Sequence, residues 1–546
     1  MQKLQYEDPW NLIVEKYKKV DGGKKITFFS SLFWGLLAHI YMMTNKLPNH
    51  DDLWDINGYG MSSSLGRWTL ARVGNLAKAM HICFSLPWIN GLFSILLIAI
   101  SACMIVSLFK INNKGICMLI GGLMVTFPAW TFTFFFMFTA PYYAMALFLS
   151  VACVWITDRF KHGWIAGLIF MVTAVGIYQS YIAVGSILVV IFFIKLLIEN
   201  NKLQKIHWIK ALKMIIMLAG AMMLYISSLK VYEMIPEHDL EEYKGISDMA
   251  SGNGSMLFEL PGRLEIIYSY FFSLFTSNKI EMTSYRLVNI LLAVMFAVTI
   301  FLMFILIKKN DCSPVNMVLT AICVIVMPIC TLPLYLVVSE VADVYSLMLY
   351  SVVGVYIFFL VIADMSVGIL RTSDPATDKS ISANTHKNIC KKTDHVIRFS
   401  MWFTQTACFV IILLYVYYAN AQYLAADLSI KEAESYYTTM ITSIKMQEGY
   451  RDDMHVVIVG STITDESVYE NEKMRFFANS ARPESLVNAY SRQRLMEDYL
   501  GFKNECVYAT GETAQKYATE LASMACYPDS GSIKIVGDDV VLVRLE

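Results

Sequence analysis

Charge is scarce in this chain. Asp, Glu, Lys and Arg make up 16% of its 546 residues, against roughly 25% in soluble domains. Hydrophobic residues reach 56% and the mean hydropathy is +0.50, which is the composition of a membrane protein. An excess of either sign is also missing: the formal net charge is −1, and no basic tract is interleaved with aromatics, so nucleic acid is excluded as a partner. Paired cysteine motifs are absent. Most of the eleven cysteines fall inside apolar runs and none forms a CxxC pair, which argues against zinc or redox chemistry. Glycine-rich phosphate loops are lacking too; "GSTITDES" after "HVVIVG" has neither P-loop nor dinucleotide spacing.

What the sequence does have is long apolar runs, each sufficient to cross a hydrocarbon core of about 30 Å as a helix. About eleven spans are expected, at 26–44, 86–109, 115–133, 140–157, 164–180, 182–198, 212–230, 286–307, 315–338, 343–365 and 401–421. Residues 1–25 form an amphipathic, Lys-rich head. The first run is too long and starts too late for a cleaved signal, and "YMMTNKLP" lacks a small-residue cleavage site, so it is an uncleaved anchor. Lysines and arginines at 110–114, 159–161, 202–210, 308–309 and 371–398 share one side, which the positive-inside rule makes cytoplasmic. The loop after the first span (45–85), the connector 231–285 and everything beyond residue 421 are then expected outside.

Residues 422–546 have ordinary soluble composition and read as a small α/β domain, with a buried strand at "HVVIVG" and a hairpin turned at Gly537-Asp538. Cys506 and Cys526 are its only cysteines; in an oxidising compartment they either pair or stay buried as thiols. The polar stretches 371–388 and 247–255 have the composition of flexible connectors. His39, inside the first span, is expected to be a packed core residue.

The chemistry-bearing residues cluster outside the spans. "NHDDLWDIN" places Asp51 and Asp52 side by side just past the first span. They either cap a short interfacial helix or form a pair in which one carboxylate is a general base and its neighbour orients it. "SLGRW" adds Arg67, whose guanidinium can grip phosphate oxygens or pair with Asp55, and Trp68, which can stack on a sugar or anchor at the interface. In "IYQSY", Tyr178 and Gln179 can bond sugar hydroxyls or satisfy a helix end. Arg263 and Arg286 can neutralise a lipid phosphate or snorkel as anchors. Ser339, Glu340 and Asp343 form a further outer-turn cluster, equally explained by capping.

An uncleaved first span followed by "HDDLW" and "SLGRW", a later "YQSY", and a tail reading "YPDSGSIKIVGDDVVLVRL" resemble the bacterial and phage-borne serotype-converting O-antigen glucosyltransferases, nearly end to end. That family resembles the GT-C superfamily of multispanning glycosyltransferases. The resemblance implies a mainly α polytopic protein of about eleven transmembrane helices with a small C-terminal exoplasmic α/β domain. It implies transfer of glucose or a related hexose from undecaprenyl-phosphate-sugar to O-antigen, hence lipopolysaccharide, or another surface polysaccharide, at the periplasmic face of the bacterial inner membrane. Its functional partners would be a donor synthase and a donor flippase. The acidic motif falls on Asp51 and Asp52, with His50 beside them; Arg67, Trp68, Tyr178, Gln179, Arg263 and Arg286 are the expected substrate-binding residues. Members of the superfamily differ in using a divalent metal. Two adjacent carboxylates without further outer-loop ligands do not make a metal site, so no metal and no cofactor is assigned. The alternative function is a transporter or flippase of lipid-linked sugar, whose signature would be ionisable residues or Gly/Pro breaks in mid-span. Pro128, Pro328 and Pro333 interrupt spans, but the spans carry few charges. A phosphoethanolamine or acyl transferase would need a nucleophile with metal ligands or a His-based motif, which is not found.

Overall fold

The apolar runs fold as helices, because a backbone surrounded by hydrocarbon must satisfy its own N–H and C=O groups. The computed structural model describes the chain apart from residues 1–7, 55, 61–62, 236–239, 241–254, 278–284, 338–343, 373–383, 461–485, 490, 508, 510 and 546, and apart from the side chains of 9, 12–13, 255–258, 368–372 and 384–393. Ser339, Glu340, Asp343, Asp55, the "STITDES" stretch and most of the two polar connectors therefore lie outside the described residues.

In chain order the bundle comprises α1 (Pro9–Lys19), α2 (Gly22–Thr44), α3 (His50–Trp54), α4 (Trp68–Ala79), α5 (Pro87–Leu108), α6 (Lys114–Thr126), α7 (Pro128–Phe134), α8 (Ala140–Arg159) and α9 (Gly163–Ile177). It continues with α10 (Ile182–Glu199), α11 (Lys205–Glu233), α12 (Ser255–Thr276), α13 (Arg286–Lys309), α14 (Pro314–Thr331), α15 (Val353–Thr372) and α16 (Asn384–Lys445). Among the described residues ten segments are long and apolar enough to cross a membrane. They coincide with ten of the eleven expected spans. The run expected at 164–180 is instead the 15-residue α9, about 22 Å long at 1.5 Å per residue. It stops short because Gln179–Tyr181 tighten into a 3-10 turn that leads into α10. The connector 231–285 contains α12, a helix its length and its internal Pro261 do not advertise.

Close helix packing follows from small and hydroxylated residues. On α2, Thr27 and Ser31 donate to the carbonyls of Cys117 and Gly121 on α6, both at 3.1 Å. A side chain at Gly121 would come within 2.5 Å of the Thr27 carbonyl oxygen, so only glycine allows this approach. The opposite face of α2 exposes Phe29, Phe33, Leu37 and Ile40, a stripe suited to lipid. His39 is fully buried, held by Tyr423 Oη at 2.7 Å and the Val125 carbonyl at 2.9 Å, as expected of a core residue. Pro128 supplies no N–H, and the chain turns at Phe127 between α6 and α7.

Helix α16 is 62 residues long and contains neither glycine nor proline. It runs without interruption through 421–422, where composition changes from membrane-like to soluble. Its first part packs on α2, α6 and α13; its last turns supply Ile430, Tyr437, Met440 and Ile444 to a second core. That core is closed by a four-stranded sheet in the order β2-β1-β4-β3, with β1 (His455–Val459), β2 (Cys506–Val507), β3 (Ile533–Val536) and β4 (Val540–Arg544). Strand β1 runs parallel to β2 and β4, while β3 and β4 form the expected hairpin, pairing Val536 with Val540. Cys506 and Cys526 are free thiols, so of the two readings of these cysteines the unpaired one describes the structure.

Candidate active site

Five residues, His50–Trp54, make one turn of helix immediately beyond the first membrane helix. Asn49 starts it: the Asp52 N–H donates to Asn49 Oδ1 at 2.9 Å, and the Leu53 N–H to the Asn49 carbonyl at 2.9 Å. The two carboxylates then diverge. Asp52 points into the bundle and is 1% exposed. Its Oδ1 accepts from Ser85 Oγ at 2.6 Å and from the Phe138 N–H at 3.2 Å, and Lys46 Nζ lies 3.5 Å from Oδ2. Burial pushes the Asp52 carboxyl above the usual carboxylate range, against the pull of Lys46, Ser85 and the Phe138 N–H. Asp51 faces outward, with its side chain 44% exposed and Oδ1 3.6 Å from His50 Nε2. His50 itself is buried, its ring edge-on to Phe136.

Arg67 arrives from the end of the same loop on a built support. Gly66 has φ of 70°, a left-handed conformation natural to glycine. Gln179 Nε2 donates to the Leu65 carbonyl at 2.7 Å and to Tyr225 Oη at 2.9 Å, and Tyr225 Oη donates to the Gly66 carbonyl at 3.2 Å. Helices α9 to α11 thus clamp the backbone just before Arg67. The guanidinium lies 4.8 Å from the Tyr178 ring centroid and 3.5 Å from Tyr143 Oη. Tyr143 and Tyr178 stack at 4.4 Å, which fixes the platform under the cation. The loop after the first span thus carries both a cation on an aromatic platform and an exposed carboxylate.

The other expected residues are placed as follows. Trp68 lies half-buried against Gly176 of α9, with Nε1 enclosed and lacking a hydrogen-bond partner among the described residues. Arg263 is engaged on α12, donating to Glu259 Oε2 at 2.7 Å and to the Leu336 carbonyl at 2.7 Å. Arg286 is the exposed first residue of α13. Four residues of the site escape sequence reasoning: Lys46, Ser85, Tyr143 and Tyr225. Lys46 was signalled only by being a charge beside the acidic turn, and Tyr143 by the paired tyrosines after "FTAP"; Ser85 and Tyr225 carry no local signal. Among the described residues no group of three His, Cys, Asp or Glu side chains is arranged to hold a metal ion.

A bundle of membrane-length helices, with Asp51, Asp52 and Arg67 on the loop after the first of them, marks a polytopic membrane protein. The sequence model of one family, described as Glucosyl transferase GtrII, matches residues 40–356, a stretch that takes in α3, Arg67, Tyr143, Tyr178, Gln179 and Tyr225. The chain belongs to that family and is a membrane glycosyltransferase. No curated protein and no solved structure matches it.

Proposed function

We propose that this glycosyltransferase moves glucose, or a related hexose, from undecaprenyl-phosphate-sugar to O-antigen or another surface polysaccharide at the periplasmic face, by an inverting displacement. The observation that carries this reading is that one loop presents both an exposed carboxylate, Asp51, and a guanidinium, Arg67, seated on stacked tyrosines, with Asp52 buried beside Asp51. Asp51, the exposed carboxylate, takes the proton of the acceptor hydroxyl as its oxygen bonds to the anomeric carbon. The bond from that carbon to the phosphate oxygen breaks, and polyprenyl phosphate leaves with the electron pair. Arg67 stabilises the charge developing on that phosphate. Asp52 is the orienting partner. Tyr178 backs Arg67, and Gln179 acts through the Leu65–Gly66 backbone rather than on the sugar. An N-terminus in the cytoplasm and a C-terminal domain in the periplasm put the site on the side where a lipid-borne donor and the polysaccharide meet.

The test uses membranes supplied with radiolabelled polyprenyl-phosphate-glucose and acceptor polysaccharide, comparing wild type with Asp51→Asn and Asp52→Asn at matched expression. Loss of a positioned base costs roughly 100- to 10,000-fold in rate, so Asp51→Asn should transfer almost nothing while remaining inserted and folded. Full activity in Asp51→Asn would remove it as the base. No transfer by wild type would overturn the donor assignment.

A further inference from the structure

Helix α3 is only five residues long, far below the roughly 12 to 15 at which a helix becomes stable on its own, so its orientation comes from what it touches. One side is held by the bundle through Asp52. The other side is held by the C-terminal domain. Leu53 is fully buried and belongs to the same core as Ile430, Tyr437, Met440, Leu495 and Met496. Beside it, the Arg494 guanidinium lies 5.0 Å from the centroid of the Trp54 ring. Glu497 and Asp498 approach Arg494 NH1 at 3.5 and 4.0 Å, fixing the cation over the indole. On the next turn of the same segment the Tyr499 hydroxyl is enclosed with no hydrogen-bond partner among the described residues. The Tyr499 ring packs against the same core that holds Leu53.

We infer that Arg494 and Tyr499 are positioning residues for the transfer reaction: together with Leu53 they seat α3, and the direction of Asp51 depends on the C-terminal domain being docked. This rests on the reading of Asp51 as the base. Asp51 lies between two clamped neighbours, Asp52 on the bundle side and Leu53-Trp54 on the domain side. Releasing either neighbour lets its carboxylate change direction. The segment lies more than a hundred residues beyond the part of the chain matched by the family model.

The experiment has two arms on the full-length protein in nanodiscs. The first follows hydrogen exchange in the 46–58 segment, where the Asp52 and Leu53 amides are held by Asn49. Arg494→Ala should speed exchange there, Trp54→Ala should do the same, and the double variant should exceed neither. Arg494→Lys, which keeps a cation over the ring, should restore much of the protection. The second arm measures transfer from polyprenyl-phosphate-glucose. Arg494→Ala should lower kcat on the order of tenfold, the scale of a cation–π contact, with the donor KM unchanged, and Tyr499→Ala, which removes the packed ring, should lower kcat by a smaller factor. Unchanged exchange in Arg494→Ala overturns the clamp. Faster exchange with unchanged kcat overturns its role in the reaction. If Arg494→Ala does not fold, Trp54→Ala and Tyr499→Ala decide by the same readouts. If wild type transfers nothing, the donor reading fails and the role in transfer falls with it, while the exchange arm still tests the clamp.

Discussion

Alanine at Gly66 perturbs the site without touching any charged group. The backbone there has φ of 70°, where a β-carbon costs about 1–2 kcal/mol. The new methyl would also sit 2.6 Å from Tyr225 Oη, 3.0 Å from Leu229 Cδ2 and 3.2 Å from Gln179 Nε2. Forcing an extra carbon into packed surroundings adds about 1–3 kcal/mol, for a combined destabilisation of about 2–5 kcal/mol. Tyr225 cannot retreat without breaking its bonds to Gln179 and the Gly66 carbonyl, so the strain passes to the next residue, Arg67. A displacement of about 1 Å at such a group lowers transfer roughly 100-fold. Tyr225→Phe alone removes the oxygen and two hydrogen bonds, costing about 0.5–1.5 kcal/mol for each. Combined with Gly66→Ala it removes the closest of the three clashes. The double variant should therefore be more stable than the sum of the singles, by about 1 kcal/mol or more. Thermal or denaturant unfolding of the four proteins in one detergent, with transfer measured in parallel, completes the cycle. Additive losses would refute the packing argument. An active Gly66→Ala protein would refute the claim that this turn positions Arg67.

Two further predictions follow from α3. Leu53→Ala empties a fully buried position in the C-terminal core and should cost about 2–5 kcal/mol, read as a lower unfolding midpoint; a change under about 0.5 kcal/mol, the range of ordinary surface sites, would mean that Leu53 is not a core residue. Asp52 gives a pH signature. Its carboxyl is raised by burial, so the proton is held more tightly in the folded protein. The stability this provides is complete below the ordinary carboxylate range near pH 4 and is lost as pH rises through the raised folded value. Asp52→Asn does not titrate, so the midpoint of wild type minus that of Asp52→Asn should fall with rising pH across this window. A difference that grew with pH would show Lys46 outweighing burial.

The membrane helices were legible because a run of about 20 apolar residues has few alternatives in a bilayer. Where the reading slipped, local shape decided. "GIYQSY" is apolar enough to extend a span, but Gln179 turns back to bond Leu65 and Tyr225, and the helix ends at Ile177. Helix α12 was hidden by Pro261 and by a connector that looks polar on average. The adjacent aspartates drew attention by charge alone. Their separate characters could not be read locally, because the groups that hold Asp52 lie 33 and 86 residues away in sequence. Arg263 reads from sequence as a weaker candidate than Arg67 for a phosphate; only the fold shows it occupied by Glu259 four residues earlier and by a carbonyl 73 residues later. The hairpin at Gly537 was readable because its turn and its alternating strands are contiguous.

The long α16 has a mechanical consequence. Between Ala421, where the apolar run ends, and Lys445, where the helix ends, about 24 residues of unbroken helix project about 36 Å. With no glycine or proline to act as a hinge, this section and the membrane section form one lever. A tilt of about 5° within the bilayer displaces the far end by roughly 3 Å, comparable to the separations that hold Arg494 over Trp54. Lipids that change helix tilt by changing bilayer thickness would thus be felt at the top of the molecule as a sideways movement of the sheet.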